Sequence, residues 1–184
     1  MREKLVGAAA PLFPDLSVVR TQCRLDEDET DLDNLLTLFV SAAVATAEHE
    51  MQRPILPQSW CRTFDDIGIA LLALRSDVLA VSSVVARDAL GVETPLPMHA
   101  WRLARGKDLI LFDGWTAGAI EIDVSFSCGA WTVDTVPDAI KHWVLIRVAT
   151  ALRNGEEVIQ GASAVAMLPR SHVDGLLDPW RRYA

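Results

Sequence analysis

The first stretch whose residue types could do chemistry is His49-Glu50-Met51-Gln52-Arg53. A His-Glu pair on a helix opens the pattern of a zinc hydrolase, in which a second histidine four residues on completes the ligand pair. That position is Arg53 here, and one imidazole cannot make the site. Asp26-Glu27-Asp28-Glu29-Thr30-Asp31 resembles the start of a calcium loop. Asp31 stands where the sharp turn needs glycine, and Thr37 where a bidentate glutamate should stand. A solvated helix N-terminus is the better reading. Gly161-Ala162-Ser163-Ala164-Val165 lacks the second glycine of a nucleophile elbow and reads as a linker. Gly114-Trp115-Thr116-Ala117-Gly118 is too short for a phosphate loop and reads as a turn between strands.

The remaining chemical groups are scattered. His49, His99, His142 and His172 share no ligand spacing, and His142 falls within a helical pattern. Asp65-Asp66 could act as paired carboxylates, but they lie between two strand-like runs, where a turn is expected. Cys23, Cys61 and Cys128 form no CxxC, so reduced thiols are expected rather than a disulfide framework or a zinc ribbon. These residues point to no catalytic centre, no cofactor and no metal. Six tryptophans accompany one tyrosine. Trp60, Trp101, Trp115, Trp131 and Trp143 read as core filling. Trp180 stands apart, beside Arg181, Arg182 and Tyr183, and these are residue types enriched at interface hot spots. Either the tail folds back on its own domain or it docks on another protein.

The elements that position these residues follow from length, composition and period. The chain has 184 residues, 51% hydrophobic and 23% charged, enough for a packed core in one domain with a small appendage. The net charge of −8 argues against a groove-binding nucleic-acid protein, which needs excess Lys and Arg. The N-terminal apolar stretch is too short for a signal peptide before Pro11 and Pro14, and no run of about 18 apolar residues predicts a membrane span. Composition therefore predicts a soluble, acidic, intracellular globular chain.

Residues 1–16 read as an irregular N-terminal arm broken by Pro11 and Pro14. Residues 17–25 read as a strand or a short helix capped by Asp15 or Ser17. Thr30-Asp31-Leu32-Asp33 resembles a capping box, and Leu32, Leu35, Leu36 and Phe39 recur at helical spacing up to Arg53-Pro54. Short Val-, Ile-, Phe- and Trp-rich runs follow: 59–64, 69–74, 78–86, 98–104, 109–112 and 119–126. Within the last, Glu121-Ile122-Asp123-Val124-Ser125-Phe126 alternates strictly, as a half-buried strand does. Val136-Pro137-Asp138 then opens a second long helix, apolar on most sides. Residues 161–167 read as a linker before a short apolar segment with Val173, Leu176, Leu177 and Trp180. The predicted fold is α+β. A helical core at 17–54 and 136–160 holds two long helices plus short ones. A small antiparallel β meander or sandwich is inserted at 58–128, and a linker with a C-terminal segment occupies 161–184.

In this order the segments resemble the head–tail connector proteins, or adaptors, of long-tailed phages and of phage-derived gene transfer agents. Leu25-Asp26-Glu27-Asp28-Glu29-Thr30-Asp31 opens a helix that runs through Leu35-Leu36, Ala42-Ala43 and Ala47-Glu48 and closes on Arg53-Pro54-Ile55. Gln58-Ser59-Trp60 is similar to the family's Gln-Thr-Trp. Val78 and Val81-Ser82-Ser83-Val84, before Arg87-Asp88-Ala89-Leu90-Gly91, resemble its central strand and turn. Val124-Ser125-Phe126-Ser127-Cys128-Gly129 followed by Val136-Pro137-Asp138-Ala139-Ile140-Lys141 resembles its "Val-x-Phe-x-Ala-Gly … Val-Pro-x-x-Ile-Lys". Leu176-Leu177-Asp178-Pro179-Trp180-Arg181 resembles its terminal "Leu-Leu-x-Pro-Tyr-Arg". The match spans about residues 17–182. It departs at Leu74-Arg75, at Cys128 and at Leu152-Arg153-Asn154-Gly155-Glu156-Glu157.

The resemblance implies a non-enzymatic structural protein of the particle. Copies would form a ring, typically a dodecamer, below the portal protein. The ring would extend the DNA channel, with DNA passing without sequence-specific binding, and would meet a neck or tail-completion protein. It implies assembly in the host cytoplasm, then residence at the head–tail junction, with no cofactor and no membrane. Leu176, Leu177, Pro179, Trp180, Arg181 and Tyr183 become portal-docking candidates. Two other readings stay open on the residues alone: a small enzyme or ligand-binding protein using the β insertion, and another virion component such as a tail-completion protein.

Overall fold

The computed structural model describes residues 2–65, 71–104, 108–111, 118–153, 173 and 175–182. Among them are three α-helices and two antiparallel sheets, so the fold is mixed α+β. The chain divides into two units. One comprises residues 1–10 and 56–132, the other residues 11–55 and 133–184.

The β unit is built on a five-stranded antiparallel sheet. Its strands are β1 (Arg2–Gly7), β2 (Gln58–Phe64), β4 (Val78–Asp88), β5 (Glu93–Pro95) and β8 (Ala119–Cys128), in the order β1-β2-β8-β4-β5. A second sheet of β3 (Leu71–Ala73), β7 (Asp108–Leu111) and β6 (Trp101–Leu103) has the order β3-β7-β6. Strand β8 is central because its side chains alternate. Ile122, Val124, Phe126 and Cys128 are buried on one face, while Glu121, Asp123, Ser125 and Ser127 lie on the other. The buried face joins Leu72 and Leu109 of the second sheet in one cluster with Phe64, Val84 and Leu96.

The opposite face is held by ions. Arg87 binds Glu121 at 2.9 Å, Asp123 at 3.0 Å and Glu93 at 2.9 Å. On the core side, at the β1 edge, Arg62 pairs in register with Val124 and Glu3 with Arg62. Glu3 accepts two Arg75 nitrogens at 3.0 Å and the Arg62 guanidinium, and Arg75 stacks 3.7 Å above the Trp60 ring. Those contacts account for a difference from the sequence reading. Residues 1–16 are not irregular throughout, since Arg2–Gly7 pairs with β2 as an edge strand. Its exposed, charged residues carry no alternation, so only the pairing and the Glu3 ion pairs reveal it.

The helical unit holds α1 (Ser17–Cys23), α2 (Asp33–Met51) and α3 (Asp138–Arg153). Helix α2 buries Leu36, Val40, Ala43, Ala47 and Met51 at intervals of three and four and packs against α3. Helix α3 buries Ile140, Trp143, Val144, Val148 and Ala149. Ala43 and Ala47 put small side chains on that buried stripe, which permits close helix packing. The expected capping box does not form. Leu32 occupies the N-cap position with no side-chain cap, and the Asp33 carboxylate instead accepts a two-pronged hydrogen bond from Arg20 of α1. A fixed guanidinium fork outcompetes a lone backbone amide for that carboxylate. Helix α2 ends at Gln52, in the left-handed region at φ 54°, and Glu48 accepts the Ile55 N–H at 2.7 Å just beyond Pro54. No helix among the described residues is long and apolar enough to cross a membrane.

Candidate functional site

The C-terminal segment lies against the end of α2. Leu177 is completely buried and Val173 nearly so. Asp178–Trp180 form one 3-10 turn with Pro179 inside it, and the Trp180 N–H donates to the Leu177 carbonyl at 2.9 Å. Arg181 reaches Glu50 at 3.1 Å and Asp178 at 3.3 Å. The Arg182 N–H donates to the Met51 carbonyl at 3.0 Å, and Arg53 donates to the Trp180 carbonyl at 3.4 Å. The segment is therefore fastened through backbone, ion pair and core.

Of the six docking candidates, Pro179 is exposed, Leu176, Trp180 and Arg181 are half-buried, and Leu177 points into the core. Tyr183 lies outside the described residues. The fold thus brings Leu176, Pro179, Trp180 and Arg181 to one surface segment, with Leu177 as its anchor.

The chemical candidates do not converge. His49 is exposed on α2, and its neighbour Glu50 is committed to Arg181. His99 and His142 are exposed on different units. The carboxylates at 26–29 and 31 are exposed in the loop before α2. Asp65 is exposed, while Asp66, His172, the 114–117 turn and the 161–165 stretch lie outside the described residues. Among the described residues, no group of three His, Cys, Asp or Glu could hold a metal ion. Cys23, Cys61 and Cys128 are free thiols. Burial pushes the Cys23 thiol up, and Arg153 pulls it the other way. Asp15 accepts the Ser17 O–H at 2.7 Å and the Ser17 N–H at 3.0 Å, which holds its carboxyl below the usual carboxylate range.

Two surfaces of the helical unit escaped the sequence reading. One is a groove of about 430 Å³ between the Leu12–Val18 stretch and the first half of α3. Phe13, Val18 and Leu145 line it together with Asp15, Asp138, Lys141 and His142. The other is the outward side of α2, where Leu35, Leu38, Ala42 and Ala45 are exposed. The signal for the second was present in the sequence, since no charged residue occurs from Asn34 to Ala47. The groove left no such mark, because it joins residues more than a hundred positions apart.

No family model matches the chain, and no curated protein matches it in sequence. Solved structures do resemble it in fold. A chain in the neck of an empty gene transfer agent (GTA) particle, computed with C6 symmetry, superposes with a TM-score of 0.76 at 18% identity, covering 100% of this chain and 97% of that one. A chain in the virion of a native GTA particle gives 0.74 at 21% identity over the same shares. A chain in the neck of a native GTA particle, computed with C12 symmetry, gives 0.72 at 19%, again over the same shares. The class these likenesses define is one of fold, shared from end to end with chains of particle necks.

Proposed function

We propose that this chain is a structural, non-enzymatic component of the neck of a gene transfer agent or tailed-phage particle. Its role there is that of a head–tail adaptor. Copies form a ring below the portal, continue the DNA channel and offer their far side to the next neck or tail protein. The observation that carries this reading is the fold likeness to a GTA neck chain over the whole length of both chains. The order of sequence motifs, from the acidic opening of α2 to Leu176-Leu177-Asp178-Pro179-Trp180-Arg181, supports it independently. So does the net charge of −8, which suits a wall past which DNA slides without adhering. The two long helices form the ring-building core, the β unit faces the next layer, and the exposed part of the C-terminal segment meets the portal.

The test is co-purification of the full-length chain with its cognate portal ring. Point variants are the right comparison, because truncation before residue 173 would also remove Leu177 from the core. Wild type should co-elute with the portal, and Pro179→Glu should weaken capture at least tenfold with its helical circular dichroism unchanged. Failure of the wild-type chain to bind an assembled portal would overturn the adaptor reading. Equal capture of wild type and Pro179→Glu would overturn only the assignment of the docking segment.

A further inference from the structure

Strand β1 is specified by charge rather than by apolar burial. Leu5 remains 43% exposed and Val6 64% while the strand lies paired on β2. Ions on both faces of the sheet fix its register. Glu3 takes the guanidinium groups of Arg62 and Arg75 on the core side, and Arg2 reaches Glu121 of β8 on the other. A slip of one residue would turn Glu3 toward Glu121 and a cation toward Arg62 and Arg75, setting like charges together on both faces. The strand therefore fits one site in one register, yet uncovers little apolar surface when it leaves.

Its tether is as particular as its register. Residues 1–10 belong to the β unit, and the chain enters the helical unit at Pro11. Ala8, Ala10 and Pro11 are exposed, and Leu12 is buried. Pro11 and Pro14 bias the residues before them, Ala10 and Phe13, toward extended backbone. A stiff, extended tether lowers the advantage a strand has for its own sheet over an identical sheet beside it.

We infer that in the assembled ring β1 of each copy pairs with β2 of the next, in the register it has within a single chain. Glu3 then meets the next copy's Arg62 and Arg75, and Arg2 meets its Glu121. No new complementarity is required, because the exchanged strand remakes the contacts of the closed chain. Each copy gives one strand and receives one, so the exchange runs head to tail and closes by rotation. Copies side by side present the β2 edge at high local concentration, whereas a free chain has only its own. The inference rests on the ring reading above and adds a strand passed from copy to copy.

The chain supplies a reporter. Lys4 stands opposite Cys61, and Cys61 opposite Ser125, on the face away from the core. Directly opposed Cα atoms of an antiparallel pair lie about 4.5–5.5 Å apart, within the span of a disulfide. Lys4 is exposed, and Cys23 and Cys128 are buried, so Lys4→Cys can join β1 to Cys61. The full-length variant is assembled on the cognate portal ring, oxidised mildly and run on a denaturing gel without reductant, and the bond is mapped by mass spectrometry. A ladder of chains joined from position 4 to position 61 supports the inference. Rings whose chains run as monomers, with the bond intrachain or absent, overturn the exchange and leave the ring reading standing. No ring from wild type, portal included, overturns both. A second pair, Gly7→Cys with Ser59→Cys in a Cys61→Ser background, reads the same pairing with Lys4 in place, since a Cβ at Gly7 would lie 3.4 Å from that of Ser59. Oxidising the free variant beforehand locks β1 on its own β2 and should lower ring assembly at least tenfold, with reductant restoring it. Undiminished assembly of the locked chain overturns the exchange.

Discussion

At Gly129 a single hydrogen stands where any other residue would drive a carbon into the main chain of Leu56 and Pro57. A Cβ there would lie 2.6 Å from the Pro57 nitrogen and 2.7 Å from the Leu56 carbonyl carbon. Neither neighbour is the end of a flexible side chain, so backbone must shift. Gly129→Ala should cost about 1–3 kcal/mol, read as a lowered midpoint in urea, and an unchanged midpoint would show that the segment yields freely. The thiols give a second expectation. Cys23 and Cys128 are buried and Cys61 is half-buried. A maleimide should label Cys61 first in the native protein, and the other two only on unfolding. Early labelling of Cys128 would mean the sheet opens locally. Asp15 gives a third. Hydrogen bonds from Ser17 depress its pKa in the folded chain. Its contribution is therefore complete above the unfolded carboxylate value, about 3.9, and is lost as the pH falls through the lower folded value. Asp15→Asn should lower stability slightly at neutral pH and flatten that acid limb, the two profiles converging once the pH falls below the folded value.

The described part of the C-terminal segment belongs to the core of its unit through Val173 and Leu177. Leu177→Ala should cost about 2–5 kcal/mol in chemical denaturation, because Leu177 is completely buried. A loss under about 0.5 kcal/mol would mean the segment is not part of the folded unit. Elements of this chain differed in how plainly they could be read. Strand β8 was legible because one face is buried and the other carries Glu121, Asp123 and two serines, so the period of two survives in the letters. Helix α2 was legible from Leu32, Leu35, Leu36 and Phe39, though its cap was not, since Arg20 claims Asp33 from thirteen residues away. Strand β5 was missed because it is three residues long and contains Pro95 at a sheet edge. Strand β1 was missed because its residues are charged and mostly exposed, and its partner lies more than fifty residues on. Of the site, the Leu176–Arg181 segment could be named, but whether Leu177 pointed outward or inward could not, because both readings ask for an apolar residue.

Across the whole molecule, each unit is assembled from separated stretches of chain. Residues 1–10 belong with 56–132, and residues 11–55 with 133–184. A fragment covering 56–132 alone would lack β1 and leave the β2 edge without its partner, a template for unwanted pairing. Such a fragment should aggregate, and a peptide of residues 1–10 added in trans should reduce that; a monomeric, stable fragment would show that β1 is dispensable.

The same interleaving sets a schedule during translation. Strand β1 emerges long before its sheet has a central strand, which is not complete until Cys128 has emerged. Helices α1 and α2 follow and then await α3 and, later still, the buried Leu177. The β unit can close once residue 132 has emerged, while the helical unit still waits for α3 and Leu177. Non-local contacts of this kind form slowly and leave apolar surface uncovered in the meantime. A nascent copy displays the uncharged side of α2 well before α3 is there to complete its unit.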